Sequence, residues 1–272
     1  MSNQVQKAID FIREYTTFIP ESGIILGTGL GELVNEIDVS CELDYDTIPG
    51  FSVSTVEGHH GKLIFGILSG HNIVVMKGRF HFYEGYSMQQ IVFPVYVMKQ
   101  LGIKNLLVSN ASGALNPDFF AGDLMLISDH INLQPGNPLI GKNNDRVGPR
   151  FPDMINAYDQ ILIQKAIEIA AKSNIEVKSG VYVSVPGPVL ETQAEYKYLR
   201  IIGGDVVGMS TVPEIIAARH AGIRCFAISV ITDEGWRENP EPLTIAQIIS
   251  VASKSEPKMT LIMKELLKSI ES

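Results

Sequence analysis

Short apolar runs alternate with amphipathic stretches along the whole chain. Runs rich in Val and Ile and bounded by Gly predict strands at 23–26, 62–68, 73–77, 105–109, 123–130, 180–185, 205–208 and 224–231. Helix starts carry cap signatures. Ser87-Met88-Gln89-Gln90 has the form of a capping box, and Gly102 closes that helix. Thr192-Gln193-Ala194-Glu195 repeats the pattern and closes at Gly203. Thr211-Val212-Pro213-Glu214 gives a third, closing at Gly222. Further helices are expected at 3–15, 158–173 and near the C-terminus, where Pro257 should break or bend the pattern. Residues 132–157 have no periodicity and predict a long polar loop, of the kind that carries function in compact domains. Strand–helix alternation predicts an α/β sandwich with a largely parallel or mixed sheet, and nothing has the composition of an interdomain linker.

Composition adds limits rather than identity. The 272 residues are 45% hydrophobic and 19% charged, which excludes a disordered or fibrous chain. A folded surface of roughly 12,000 Å², against about 43,000 Å² extended, leaves a core that needs no disulfide or metal staples. The net charge is −8, and no Lys/Arg cluster exceeds a pair, so a nucleic-acid footprint is absent. Two cysteines are too few for a secreted scaffold, and Cys225 sits in an apolar run as an expected buried thiol. Asp10 and Glu14 stand where a signal peptide would be apolar. The longest apolar runs, such as 91–98, fall far short of the roughly twenty residues that span a bilayer. A soluble, cytoplasmic protein is expected.

Seven segments could carry chemistry. Ile24-Ile25-Leu26-Gly27-Thr28-Gly29-Leu30-Gly31 runs a strand into a glycine turn, but Glu32 stands where a dinucleotide fingerprint needs Gly, and the P-loop lysine is missing. The turn's N–H groups and the Thr28 hydroxyl could cradle an anion; a plain tight turn fits equally. Arg79 and His81 alternate in an extended segment and share a face, which suits a phosphate dianion; a solvated strand end is the other reading. Glu57-Gly58-His59-His60-Gly61 has the look of a surface hairpin, and the scattered His71, His130 and His220 complete no metal set. Ser109-Asn110-Ala111-Ser112-Gly113-Ala114-Leu115-Asn116 ends a strand where open α/β sheets hold ligands, and a tight βα turn accounts for it as well. Val185-Pro186-Gly187-Pro188-Val189-Leu190-Glu191-Thr192 brings Glu191 to a helix start, as a dipole partner or as an acceptor for ligand N–H groups. Gly208-Met209-Ser210-Thr211 offers an anion platform at another helix start. The apolar run before Thr232 and Asp233 ends on an Asp of the kind that usually forms a turn.

In this order the segments resemble the trimeric class of purine nucleoside phosphorylases, over about residues 20–235. The resemblance implies a single-domain three-layer sandwich over 1–272, with a mixed central β-sheet flanked by helices. It implies that orthophosphate, as co-substrate, attacks the anomeric carbon of a purine nucleoside without metal or cofactor. It places phosphate at Thr28, His59, Arg79, His81, Ala111 and Ser210, and nucleoside at Tyr83, Phe151, Leu190, Glu191, Val207, Met209, Thr232 and Asp233. His81, Glu191 and Asp233 take the catalytic roles. Phe151 would close the sugar site of a neighbouring subunit, which implies a homotrimer.

Four positions depart from the family pattern. Thr28 replaces Ser and keeps the oxygen. Leu190 replaces an aromatic near the base. No histidine follows Asp233 to hold a 5′-hydroxyl, and Ala246 falls near that place. Asp233 itself stands where inosine- and guanosine-specific members carry Asn. Methylthioadenosine phosphorylases carry Asp there but lack the acid at Glu191. The expected activity is phosphorolysis of inosine and guanosine. A methylthioadenosine phosphorylase, or a catalytically silent nucleoside-binding protein on the same scaffold, are the rivals.

Overall fold

The computed structural model describes residues 2–53, 61–238 and 243–270. Among the described residues nine strands form one sheet: β1 (Ser22–Ile25), β2 (Asp38–Asp44), β3 (Lys62–Leu68), β4 (His71–Lys77), β5 (Asn105–Ala114), β6 (Leu124–Asn132), β7 (Val177–Ser184), β8 (Val206–Gly208) and β9 (Arg224–Glu234). Six α-helices among the described residues accompany them: α1 (Ser2–Tyr15), α2 (Met88–Leu101), α3 (Gln160–Lys172), α4 (Gln193–Ile201), α5 (Val212–His220) and α6 (Ile245–Ser269). The sheet order is β2-β3-β4-β1-β5-β8-β7-β6-β9. The mixed α/β architecture expected from the sequence is the one found.

Parallel β1 is buried at every position, as a strand covered on both faces must be. Helices α1, α2 and α5 pack in one group, and α3 packs on α6. The sheet also closes on itself. Strand β5 pairs with both β8 and β9, so β5, β8, β7, β6 and β9 complete a ring. The closure has a local device. Ser112 opposes Ile231 and Gly113 opposes Asp233, so Thr232 is an extra residue on β9. A bulge of this kind kinks a strand and re-aims the next side chain.

Three expectations are corrected. Residues 110–114 are strand, not turn: their small side chains let β5 continue beside β9. Thr211 does not cap α5 with its side chain. Its φ is +71°, its hydroxyl makes no cap bond, and that hydroxyl is engaged elsewhere. Pro257 lies inside a 25-residue helix that it does not break. Strand β2 lies outside the runs that the Val- and Ile-rich, Gly-bounded criterion selects, although Val39, Cys41 and Leu43 alternate strictly with polar residues; at the sheet edge only Leu43 of the three is buried. The other two capping boxes form as expected, at Ser87 and Thr192.

Candidate active site

A cleft of about 410 Å³ opens at the carboxyl ends of β1, β5, β8 and β9, the edge where open α/β sheets bind ligands. The turn after β1 contributes Gly27 and Thr28, and the segment after β4 contributes Arg79, His81 and Tyr83. Strand β5 contributes Asn110 and Ala111. Val207, Met209 and Ser210 come from β8 and the turn after it, and Thr232 and Asp233 from β9. Leu190 and Glu191 come from the segment before α4. Close approach at the β1 turn demands glycine: a Cβ on Gly27 would sit 2.8 Å from the Asn110 Cα.

One end is built of donors. Arg79 is 2% exposed. Its Nη1 donates to Ser210 Oγ at 2.8 Å and to Thr211 Oγ1 at 3.2 Å, and its Nε lies 3.5 Å from Glu214 Oε1. The left-handed backbone at Thr211 turns its hydroxyl toward this cluster. Asn110 Nδ2 donates to the same Thr211 oxygen at 2.8 Å, and Asn110 Oδ1 accepts from Ser229 Oγ at 2.6 Å. Thr211 Oγ1, which accepts twice, lies 3.1 Å from Ser210 Oγ. Ser210 Oγ therefore accepts from Thr211 as well as Arg79, which leaves its own proton to donate into the cleft. The Ser210 backbone is fixed too: its N–H donates to Tyr182 OH at 3.3 Å, and its carbonyl accepts from Ser184 Oγ at 3.1 Å.

His81 is buried, with Nδ1 3.0 Å from Glu84 Oε1. A carboxylate on Nδ1 fixes the tautomer and orientation of the ring. The ring stacks on Tyr83 with centroids 4.7 Å apart. Burial, with the Glu84 charge adding, pushes the Tyr83 phenol up to about 12, so it stays a hydroxyl at any working pH.

The other end is built of two carboxyl groups, Glu191 and Asp233. Burial holds the Glu191 carboxyl above its ordinary range, and the Asp233 charge adds to the shift. The neighbouring Tyr196 hydroxyl works against that rise. Asp233 is raised by burial and by the charge of Glu234, against a 2.9 Å bond donated by Thr232 Oγ1 to Oδ1. Thr232 accomplishes this from the bulge, where its backbone is out of register. Gly113 makes room: a Cβ there would lie 2.8 Å from Asp233 Oδ2.

These raised carboxyls oppose stability at neutral pH. The folded state holds their protons more tightly than the unfolded chain does, so the favourable contribution is complete below the unfolded carboxylate range, near 4, and is lost as pH rises through the folded values. Asp233→Asn should therefore melt at a higher Tm than the parent at pH 8, with the difference closing toward pH 4.5. A lower Tm at pH 8 would contradict this.

Most sequence-predicted site residues thus meet in one cleft. Phe151 does not line it and is 87% exposed, with the Arg150 guanidinium 5.7 Å from its ring centroid. His59 lies outside the described residues. Sequence reasoning missed Tyr196, Glu214, Ile245 and Ile248. Glu214 had a usable signal, since it is an acid in the otherwise apolar run 212–218. Ile245 and Ile248, from the start of α6, give the cleft an apolar wall. Among the described residues, no three His, Cys, Asp or Glu side chains converge as a metal set, and no helix is long and apolar enough to cross a membrane.

A model of the phosphorylase superfamily matches residues 21–268. Purine nucleoside phosphorylase 1 of Bacillus subtilis is 47% identical over all of both chains. The purine nucleoside phosphorylase of Rattus norvegicus is 43% identical, covering 97% of this chain and 94% of its own. Isoform 2 of the Schistosoma mansoni enzyme, solved with cytosine and ribose-1-phosphate, superposes with a TM-score of 0.94 at 41% identity, over 99% of this chain and 97% of that one. Another Schistosoma mansoni purine nucleoside phosphorylase, solved with adenosine, has a TM-score of 0.93 at 40% identity, over 99% and 98%. The chain belongs to the phosphorylase superfamily and, within it, to the purine nucleoside phosphorylases.

Proposed function

We propose that this protein cleaves 6-oxopurine nucleosides, inosine and guanosine, with orthophosphate as co-substrate and no further cofactor. The observation that carries the reading is the division of one cleft into a donor end, Arg79, His81 and Ser210, and an acceptor end at Glu191 with the Asp233 carboxyl beside it. Thr28 and the Ala111 N–H complete the phosphate cradle, to which the family resemblance adds His59. Tyr83 and Met209 hold the ribose.

The chemistry follows from that division. A phosphate oxygen attacks C1′, and the C1′–N9 bond breaks with its electron pair going to the purine. Positive charge grows on the sugar and negative charge on the base. Phosphate is the nucleophile, so the protein supplies placement, worth up to ~7–11 kcal/mol, and donors to the leaving purine, each ~2.7–4 kcal/mol. Glu191, as a carboxylate, accepts from N1–H of hypoxanthine and from N1–H and the 2-amino group of guanine. Asp233, protonated, donates to O6 or N7. The products are the free base and ribose or deoxyribose 1-phosphate.

Calorimetry with free bases tests the acceptor end alone. Hypoxanthine should bind about 5- to 150-fold tighter than adenine, whose N1 is itself an acceptor and leaves Glu191 unpaired, at ~1–3 kcal/mol. Equal or tighter binding of adenine would overturn the preference. One observation favours methylthioadenosine instead: Ile245 and Ile248 would suit an apolar 5′ group. Glu191 weighs against it.

The working unit we propose is a homotrimer. Phe151, Ile155 and Ile140 are 87%, 84% and 69% exposed in the aperiodic loop, which suits a subunit contact more than solvent. Phe151 would cap the neighbour's sugar site. Sedimentation should show a trimer, and Phe151→Ala should raise the nucleoside KM with little effect on that for phosphate. An active monomer at assay concentration would rule this out. Two unpaired cysteines fit a cytoplasmic setting.

A further inference from the structure

We propose that Glu214 is the positioning residue for Arg79, holding its guanidinium in register for the phosphate; this rests on the phosphorolysis reading above. Glu214 lies on α5, one turn beyond Ser210 and Thr211. Its side chain is 3% exposed. Neither carboxylate oxygen has a hydrogen-bond partner among the described residues, and its nearest cation is Arg79, at 3.5 Å from Nε. A buried acid without hydrogen bonds is costly. Packing alone would be met better by Leu or Met in this apolar helix, so the charge has a task that packing does not explain.

Arg79 shows what the task is. Ser210 and Thr211 grip only one corner of the guanidinium, at Nη1. Its Nε and Nη2 make no hydrogen bond to the described residues. A fork held at one corner can pivot about it. Glu214 faces the Nε edge and opposes that pivot by attraction. Residues 210–214 therefore supply three things together: the phosphate-facing hydroxyl, the grip on Arg79, and its counter-charge. His81 is served in parallel by Glu84 on Nδ1, so each of these two side chains has a buried carboxylate behind it.

A mere counter-charge and a positioning residue predict opposite results. Removing a negative charge near an anion site tightens phosphate binding if orientation is unaffected. Loss of orientation weakens it. Initial rates should be measured with inosine, varying orthophosphate at saturating inosine and the reverse, for the parent, Glu214→Gln, Glu214→Ala, Arg79→Ala and the double variant Arg79→Ala/Glu214→Gln. We expect Glu214→Gln and Glu214→Ala to raise the phosphate KM tenfold or more while the inosine KM stays within twofold. The double variant should be no worse than Arg79→Ala alone, because a residue that acts through Arg79 has nothing to act on without it. Thermal melts keep Glu214→Gln, which preserves volume, as the decisive variant if Glu214→Ala does not fold.

A lower or unchanged phosphate KM in folded Glu214→Gln would overturn the proposal. So would an equal rise in the inosine KM, additive losses in the double variant, or failure of both single variants to fold, which would make Glu214 a core residue. A parent that releases no hypoxanthine with phosphate would instead take down the functional reading itself.

Discussion

Arg79→Ala should raise the apparent KM for orthophosphate about 10- to 150-fold, the range set by a charge-assisted hydrogen bond of ~1.5–3 kcal/mol. Hypoxanthine binding in the absence of phosphate should change less than twofold, because the acceptor end of the cleft does not include Arg79. The guanidinium is 2% exposed and already oriented, so little ordering is left to oppose the contact. Stability should fall as well: the variant strands Glu214, buried and 3.5 Å from where the charge was, and breaking such a pair costs about 3–5 kcal/mol. Arg79→Lys should rescue only part of the phosphate effect, since an ammonium cannot serve two hydroxyls, a carboxylate and an anion in one plane. Unchanged phosphate dependence in folded Arg79→Ala would remove it from the site.

Asp233→Asn should reshape base selectivity with pH. In the proposed complex two carboxyls face one purine, and both are held above their ordinary range by burial. Such a pair titrates jointly, and one proton on it relieves the other. With that proton on Asp233, which also faces the charge of Glu234, Glu191 is free to ionise and accept N1–H while Asp233 donates to O6 or N7. As pH rises the shared proton leaves, ionised Asp233 repels O6, and kcat/KM for inosine falls. The same ionised group accepts from a 6-amino group, so adenosine gains relative to inosine. Asn cannot ionise. Asp233→Asn should flatten the alkaline limb for inosine and suppress adenosine. Matching pH profiles in parent and variant from pH 5.5 to 9 would show that Asp233 does not carry the proton.

What the chain discloses in advance depends on whether a residue's role is local. Strands bounded by Gly and helices begun by Ser87 and Thr192 announce themselves, because their signals lie within four residues of the element. Thr211-Val212-Pro213-Glu214 has the same letters and a different use. Its hydroxyl and carboxylate answer to Arg79, more than 130 positions earlier, and no local rule registers that. The bulge at Thr232 is equally silent in the sequence: it exists because β5 and β9 pair out of step beside Gly113. Ile245 and Ile248 reach the cleft only because α6 packs back across β9. The exposed Phe151 is the reverse case. Its sequence setting, an apolar ring in a polar loop with no local core to join, matches its exposure in this chain.

The most direct test is base release from inosine, guanosine, adenosine and methylthioadenosine, each with and without orthophosphate, at pH 6.5 and 8.5. The account predicts release only with phosphate, an equivalent of ribose 1-phosphate for each base, and inosine and guanosine ahead of both 6-amino substrates at pH 6.5. Release without phosphate, or adenosine or methylthioadenosine preferred at both pH values, would contradict it.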